Sequence, residues 1–178
     1  WDHDNVGLYY SSWPDEDEGL DPQYFHRARY HRIGTEVQSD KLIAHDEGVK
    51  EYFHAVGWSD DGEILIKGRF SVHQSQFWLK DTSKEGAEFV ELMPEMDAKY
   101  SIYIVEDDIY ILTDWNAPRY RIMHTKRAYP QRVHWKELIP ESEDIIQGLS
   151  LVAGHMIVSY LHKASTKCAI FSPDGMYV

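Results

Sequence analysis

The chain has 178 residues, with 30 acidic and 18 basic side chains and a formal net charge of −12. This balance argues against nucleic acid as a partner, because phosphate backbones are bound by clustered lysine and arginine. Hydrophobic residues make up 43% of the chain, which excludes wholesale disorder, and no apolar run approaches the roughly 20 residues of a membrane-spanning helix. We therefore expect a folded protein of about one domain, without a membrane or nucleic-acid partner.

Cys168 is the only cysteine, so an internal disulfide and a cysteine-based zinc site are excluded. We expect a cytoplasmic location, with Cys168 as a small buried residue in a strand. The chain begins at Trp1 without a signal sequence, and we expect it to be a piece of a longer protein.

Short apolar segments, bounded by Gly, Pro, Asp or Asn, recur along the chain in sets of four. Their β-branched and aromatic residues predict strands. In chain order the segments are Leu8–Ser11, Arg29–Ile33 and Lys41–Ala44; Phe53–Trp58, Ile64–Ile66, Gln76–Lys80 and Phe89–Leu92; Tyr100–Val105, Ile109–Leu112, Arg119–Ile122 and Lys136–Ile139; and Leu149–Ala153, Met156–Tyr160 and Lys167–Ile170.

The sets repeat at a nearly fixed distance along the chain. In the fourth segment of successive sets, Ile43, Val90 and Leu138 are separated by 47 and 48 residues. Four strands per period of about 45 residues is typical of a β-propeller blade. The sequence thus predicts an all-β fold of three to four blades of four-stranded antiparallel sheet, with approximate boundaries 1–47, 48–95, 96–142 and an incomplete 143–178.

One acidic segment, Pro14–Asp21, interrupts the period and together with Pro22 lengthens the first blade between two of its strands. Strand patterns resume after it on the same period, so it is a loop rather than a linker between domains. Two interpretations stay open, a solvated excursion of a hairpin and a recognition surface for basic peptides.

Signatures of enzyme chemistry are missing from the sequence. Gly148–Val152 lacks the second glycine of a nucleophile elbow, and neither a His-Glu-x-x-His zinc motif nor a phosphate-binding glycine loop occurs. Asp2, His3 and Asp4 form the densest group of possible metal ligands, but they adjoin a predicted turn. The acidic pairs in Ser59–Gly62 and Glu106–Asp108 also predict turns rather than paired catalytic carboxylates. We expect no catalytic residue, metal or cofactor in this chain.

Arg69 is the candidate binding residue, because it ends the second strand of a predicted blade, Ile64–Arg69. At such a position a side chain reaches a face of the propeller or the mouth of its channel. The planar guanidinium can hold a peptide carbonyl or a carboxylate. The alternative is a surface arginine that pairs with one of the 30 acidic side chains.

Several motifs together resemble one known family. Arg29–Thr35, followed by Gln38-Ser39-Asp40, is similar to the Tyr-x-His-x-x-Gly-Thr-x-Gln-Ser-x-Asp segment of prolyl oligopeptidases, with Val37 as an extra residue. Further motifs follow in the family's order, namely Trp58–Gly62, the region from Asp114 to Arg121, Trp135–Glu141 and Ser159–Leu161. The related oligopeptidase B shares several of these. Ala117-Pro118 and the ending Ser159–Leu161 resemble the prolyl enzymes more closely.

This resemblance implies part of a seven-bladed propeller that caps an α/β-hydrolase domain. The family cleaves short peptides after proline with a Ser-Asp-His triad, and all three triad residues belong to the hydrolase domain, outside this sequence. The partners implied are short proline-containing peptides, the hydrolase domain and the remaining blades. A propeller used only for protein–protein binding is the alternative from another functional class.

The resemblance also implies that the propeller filters substrates by size and lends a few side chains to the substrate pocket. One is an arginine at the end of a second strand, which falls on Arg69 when Ile64–Ile66 anchors the alignment. Anchoring on Trp78 shifts the position to Gly68. A cysteine near this arginine in the family would face Ser71 or Val72, so that thiol is missing here.

Overall fold

A computed structural model describes residues 1–21 and 23–178 of the chain; Pro22, which the sequence assigns to the acidic loop, lies outside the described residues. Within them the regular structure consists of strands and three short 3-10 helices, Glu16–Glu18, Val37–Ser39 and Arg132–His134. The all-β prediction is confirmed. None of the helices in the described part of the chain is long and apolar enough to span a membrane.

The strands are all antiparallel and form four separate sheets. Sheet 1 contains β1 (Gly7–Ser12), β2 (Arg27–Arg32) and β3 (Lys41–Ala44); sheet 2 contains β4 (Phe53–Trp58), β5 (Ile64–Phe70), β6 (Ser75–Asp81) and β7 (Val90–Glu91); sheet 3 contains β8 (Tyr100–Val105), β9 (Asp108–Thr113), β10 (Arg121–Lys126) and β11 (Lys136–Ile139); sheet 4 contains β12 (Ile145–Val152), β13 (His155–His162) and β14 (Ser165–Phe171).

Within each sheet, strands that are consecutive in the sequence are neighbours in space. This up-and-down order is that of a propeller blade. The described residues divide into two compact units, Trp1–Met96 with sheets 1 and 2 and Asp97–Val178 with sheets 3 and 4. The exact blade boundaries and the hydrolase domain outside this sequence stay predictions.

In the first unit, the turn at Ser59–Gly62 shows how a predicted hairpin forms. The amide of Gly62 donates to the Ser59 carbonyl (2.9 Å), and Gly62 has a left-handed backbone with φ +73°. The Ser59 hydroxyl accepts the Ile64 amide at 3.0 Å and donates to Asp61. These acidic residues therefore shape a turn, as the sequence predicts.

The core of the second unit lies between sheets 3 and 4. β9 contributes Ile109 and Ile111, both fully buried, because this strand is covered on both faces. The main cluster joins apolar side chains from both sheets: Tyr110, Leu112, Ile122, Ile139, Ile146, Leu149, Met156, Val158, Tyr160 and Ala169. Removing this much apolar surface from water is the main stabilising contribution to such a sheet pair.

Two strand boundaries differ from the sequence prediction for identifiable reasons. β10 begins at Arg121 rather than Arg119, because Tyr120 has a positive φ of 68° and its amide closes a turn onto the Ala117 carbonyl at 2.7 Å. β12 begins at Ile145 rather than Leu149. Its register shifts between Ile146 and Gly148, and this bulge breaks the alternation that marks a strand.

The prediction that Cys168 is buried is wrong, since its side chain is exposed. Successive residues of a strand point to opposite faces, and in β14 the core face is taken by the neighbouring Ala169. Cys168 therefore lies on the other face. Composition alone favoured burial, but strand alternation decided the outcome.

Candidate functional site

Arg69 lies near the end of β5, the second strand of sheet 2. The strand register places it between His54 of β4 and Gln76 of β6. Residues paired across neighbouring strands share one face of the sheet. Two residues earlier, Lys67 lies on the same face beside Trp78. Alternation thus brings two basic side chains of β5 onto one face.

Both terminal nitrogens of Arg69 are engaged. Nη1 donates to Oδ2 of Asp46, in the segment between β3 and β4, at 3.0 Å, and Nη2 donates to Oε1 of Gln76 at 2.5 Å. The guanidinium also lies over the ring of Tyr52 at 4.9 Å. Its Nε is buried without a hydrogen-bond partner, and 24% of the side chain is exposed. The guanidinium is therefore oriented from several sides.

Gln76 is itself held in place. Its side-chain nitrogen donates to Oε1 of Glu91 at 2.8 Å and to the Met93 carbonyl at 3.1 Å. These bonds fix the amide so that its oxygen faces Arg69. A positioned acceptor of this kind restricts the rotamers of the arginine.

Lys67 adds a second positive charge on the same face. Its ammonium lies 4.6 Å from the ring centre of Trp78 and 4.9 Å from that of Phe89. Burial, with the nearby charge of Arg69 as a smaller cause, lowers the pKa of Lys67. Among the described residues its ammonium forms no ion pair, so the two rings are its closest favourable contacts.

His54, Arg69 and Gln76 form a row across β4, β5 and β6, with His54 on the first of these strands. Burial lowers the pKa of His54 to about 4, which outweighs the opposite effect of the Asp46 carboxylate 3.6 Å from Nε2. The His54 amide donates to Nδ1 of His26 at 2.9 Å, so this nitrogen of His26 carries no proton. Burial lowers the pKa of His26 as well. Both imidazoles are neutral near pH 7.

A cavity of about 210 Å³ opens between sheets 1 and 2 at these residues, lined by Ile43, Ala44, His45, Asp46, His54, Lys67, Arg69 and Trp78. It combines two cationic side chains with one carboxylate and an indole. Such a lining can bind a carbonyl or carboxylate group beside an apolar ring. No serine, threonine or cysteine lines this cavity among the described residues.

Sequence reasoning named Arg69 as a candidate, which stays a prediction, and did not name the residues around it. Lys67 could have been found from its spacing of two residues along β5, which is the period of one face of a strand. Asp46 and His54 carried no such signal, since a contact between the β3–β4 segment and the next sheet depends on how two sheets pack. If the alignment is anchored on Trp78 instead, the family's arginine position falls on Gly68, which has no side chain that could bind a substrate.

The group Asp2, His3 and Asp4 serves a turn. The Asp2 carboxylate accepts the amides of Val6 (3.0 Å) and Gly7 (3.2 Å) and the hydroxyl of Tyr30. In the described part of the chain, no cluster of three or more histidine, cysteine or acidic residues is placed to hold a metal ion.

The segment that carries the family resemblance forms a buried polar network. Nδ1 of His31 lies 2.7 Å from Oδ1 of Asp40, and the Tyr10 hydroxyl donates to Oδ2 of the same carboxylate at 2.7 Å. The Asp40 side chain is only 1% exposed. The network ties β1 and β2 to the start of β3, so these motif residues stabilise sheet 1.

In the acidic loop, Glu18 is paired within the first unit. Both of its carboxylate oxygens accept hydrogen bonds of 2.6 Å from Arg27. This bidentate contact lowers the pKa of Glu18 to about 2. Glu16 and Asp17 of the same 3-10 helix are exposed. One interpretation of the loop is a recognition surface for basic peptides. The pairing of Glu18 with Arg27 leaves fewer free carboxylates for that role.

Comparison with known proteins identifies the family. Residues 1–177 match the family model of the prolyl oligopeptidase N-terminal β-propeller domain. The chain belongs to this family. The match confirms the resemblance drawn from the motifs, and it identifies the four antiparallel sheets as part of a β-propeller domain of this family.

Relatives of this propeller domain include two curated peptidases. The prolyl endopeptidase of Elizabethkingia meningoseptica is 23% identical over 177 residues, which cover 97% of this chain and 25% of the relative. Prolyl oligopeptidase A of Galerina marginata is 25% identical over 195 residues, covering 98% of this chain and 26% of the relative. The chain therefore spans about a quarter of the length of these relatives.

Solved structures show the same relationship. A structure from a structural and mechanistic analysis of two prolyl endopeptidases superimposes with a TM-score of 0.87 at 28% identity, covering 100% of this chain and 27% of that one. Prolyl oligopeptidase B from Galerina marginata, bound to a 35-residue hydrolysis and macrocyclization substrate, has a TM-score of 0.84 at 20% identity, covering 100% of this chain and 26% of that one. The second likeness supports the fold alone.

Proposed function

We propose that this chain is the propeller segment of a serine peptidase that hydrolyses short peptides on the carboxyl side of proline. The observation that carries the proposal is the family match over residues 1–177. In this proposal the Ser-Asp-His triad lies in an α/β-hydrolase domain outside the sequence, and the 178 residues supply no catalytic group.

The propeller's role in this proposal is to select substrates by size. Blades with approximate boundaries 1–47, 48–95, 96–142 and 143–178 join the remaining blades of the ring and cap the hydrolase domain. A narrow channel admits short proline-containing peptides and keeps folded proteins away from the serine. We further propose a cytoplasmic location, supported by the single cysteine, which cannot form an internal disulfide.

The proposed peptidase activity is tested on the polypeptide encoded by the whole reading frame. We expect it to hydrolyse a short chromogenic peptide with proline before the cleaved bond, and to be labelled by a serine-directed fluorophosphonate. The 178-residue chain alone and a matched peptide with alanine in place of proline are the controls. Lack of both hydrolysis and labelling in the folded polypeptide would reject the proposal and favour a propeller used for protein binding.

We also propose that Arg69 contacts the substrate. Its support is the orientation of the guanidinium by Asp46 and Gln76 at the mouth of a cavity, with part of the side chain exposed. In this role the guanidinium holds a peptide carbonyl or carboxylate while its own acceptors keep it in place. The hydrogen bonds between the Arg69 guanidinium and the peptide would then contribute to the affinity for substrate.

For this role we predict that Arg69→Ala in the full-length peptidase raises KM several-fold and changes kcat much less. Arg69→Lys keeps the charge but loses the planar fork, so it should restore only part of the affinity. Arg32→Ala, which removes an exposed arginine from the end of β2, is the matched control. Asp46→Asn separates a role in substrate binding from a role in stability, because it breaks the ion pair with Arg69 and keeps the guanidinium.

The outcome of these variants distinguishes binding from a structural role. Equal KM values for the wild type and Arg69→Ala, with a lower melting temperature, would assign Arg69 to stability alone. A higher KM in Arg69→Ala but not in Asp46→Asn supports direct contact with substrate.

A further inference from the structure

The second unit contains a cavity built on the same plan as the Arg69 cavity. In both units a segment leaves the outer strand of one sheet and leads to the first strand of the next. His54 is the second residue of the strand that follows in the first unit, and Ile146 is the second residue in the second unit. His54 pairs with Arg69, whereas Ile146 pairs with Tyr160. Tyr160 therefore takes the position of Arg69 in its sheet.

The third member of each row is also matched. Gln76 follows Arg69 across sheet 2, and Lys167 follows Tyr160 across sheet 4. The row in the second unit thus presents a hydroxyl and an ammonium side by side on one face.

The connecting segments differ in where they place their carboxylates. In the first unit the Asp46 carboxylate contacts Arg69 directly at 3.0 Å. In the second unit, Asp144 of residues 140–144 instead lies with its Oδ1 2.8 Å from Nδ1 of His162. Asp144 lies near Tyr160 and raises its pKa as a smaller cause than burial, but no carboxylate of the described residues forms a hydrogen bond or ion pair with Tyr160 or Lys167.

Tyr160 is left with an unused polar group. The residue is 8% exposed, and its hydroxyl forms no hydrogen bond with any of the described residues. The hydroxyl oxygen itself is not fully buried, because Tyr160 lines an open cavity, so the hydroxyl can donate to a ligand there. The exposed ammonium of Lys167 likewise forms no ion pair in the described part of the chain. Burial raises the pKa of Tyr160, so the hydroxyl remains a donor at neutral pH.

These two donors line a cavity of about 490 Å³, larger than the cavity of about 210 Å³ at Arg69. Its apolar wall includes Ala169, Phe171 and Tyr177, with the two aromatic rings 5.8 Å apart. A volume of this order suits a small molecule or two to three peptide residues. The cavity thus combines adjacent donors with an aromatic surface.

We propose that this cavity binds an amphipathic carboxylate, such as the C-terminus of a short peptide. Its carboxylate accepts hydrogen bonds from the Tyr160 hydroxyl and the Lys167 ammonium, in the place that Asp46 takes in the first unit, and its apolar part packs on Phe171 and Tyr177. This inference rests on the second unit alone and does not depend on the proposed peptidase activity.

Two carboxylates also line the cavity, those of Asp144, which is paired with His162, and of Glu143, which is exposed. Both weaken the attraction for an anion, but Glu143 can accept an N–H of a bound peptide. A ligand with an ammonium and no carboxylate would use Glu143 instead, and it would leave the Tyr160 hydroxyl and the Lys167 ammonium without a charged acceptor. The unpartnered donors therefore favour the carboxylate.

The test measures binding of N-acetyl-leucyl-phenylalanine to the 178-residue chain by calorimetry and by amide shifts in NMR spectra. We expect binding of the free carboxylate but not of the matching carboxamide. Tyr160→Phe, which removes only the hydroxyl, and Lys167→Gln should each weaken binding by about ten-fold. Lys163→Gln removes a nearby lysine that does not line the cavity and should change binding by less than about two-fold.

Three results would overturn the proposal: equal binding of carboxylate and carboxamide, equal losses from Lys167→Gln and Lys163→Gln, or no binding to a folded wild-type chain. Tighter binding of phenethylamine than of the carboxylate would assign the cavity to a cation held by Glu143. Because this chain lacks the proposed triad, none of these results depends on hydrolysis.

Discussion

Single residues in the first unit carry charges whose state depends on their surroundings. His54 is the clearest case, since its imidazole is 4% exposed and its Nε2 has no hydrogen-bond partner. Asp46 lies 3.6 Å away and favours the charged form, but burial has the larger effect. The residue is therefore a neutral component of a polar row, which links the packing of sheets 1 and 2 to pH.

We predict that the first unit loses stability as the pH falls from 6.5 to about 4. The pKa of His54 is about 4 in the folded state and 6.5 without its surroundings, so in this range the unfolded chain binds a proton that the folded chain does not. The expected loss in free energy of unfolding is roughly 2–3 kcal/mol. Urea unfolding at a series of pH values measures it.

The control for this prediction is a matched pair of variants. His54→Gln should flatten the pH dependence, whereas His155→Gln, at an exposed histidine of the second unit, should leave it unchanged. An unchanged slope in His54→Gln would assign the pH dependence to other groups, of which His26 is the nearest candidate.

Sequence reasoning could place Arg69 but could not supply its partners. The position follows from strand alternation and the repeat, which are local properties of β5. The contact to Asp46 depends on the path of the chain from β3 to β4, and the bond to Gln76 depends on strand register. Neither property is encoded in a short stretch of sequence, so the cavity at Arg69 could not be predicted.

At the scale of elements, the repeat predicted β3, β4, β8 and β11 with the residues that the structure shows. These strands are short and bounded by turn residues, so local chemistry defines them. β10 and β12 began elsewhere because a left-handed residue and a bulge lie at their starts. Such irregularities follow from tertiary packing and are not visible in composition.

The turn that follows β14 offers a test of packing between elements. Gly175 has a φ of +85°, and a Cβ added there would lie 2.8 Å from the carbonyl oxygen of Leu138 in β11. The turn therefore approaches the backbone of sheet 3 more closely than a side chain allows. Gly154, in the turn between β12 and β13, has a similar φ of +73° with open space around it.

We predict that Gly175→Ala destabilises the second unit more than Gly154→Ala does. Both variants force alanine into a left-handed conformation, which costs about 1 kcal/mol. Only Gly175→Ala adds a clash with backbone, for which we expect a further 1–3 kcal/mol or so. Chemical denaturation of the two variants measures the difference. Equal losses would mean that the turn moves away from β11 at little cost.

At the scale of the whole molecule, charge and exposed apolar surface have opposite effects on association. The net charge of −12 keeps molecules apart, while several large apolar side chains are exposed, including Val133 at 83% and Tyr177 at 76%. Sheets 1 and 4 have three strands each, whereas sheets 2 and 3 have four. Strands at the edges of such sheets offer unpaired backbone groups to other chains.

We predict that the chain self-associates, and that salt strengthens the association. Raising NaCl from about 0.15 M to about 1 M shortens the Debye length from about 8 Å to about 3 Å, so the repulsion between negative molecules weakens while apolar contacts persist. Association should also rise as the pH approaches the isoelectric point near 5.2. Size-exclusion chromatography with light scattering, over a range of protein concentrations, measures the mass under each condition. A constant monomer mass at high concentration and high salt would contradict the prediction, because it would mean that the exposed strand edges and apolar side chains do not bind a second molecule.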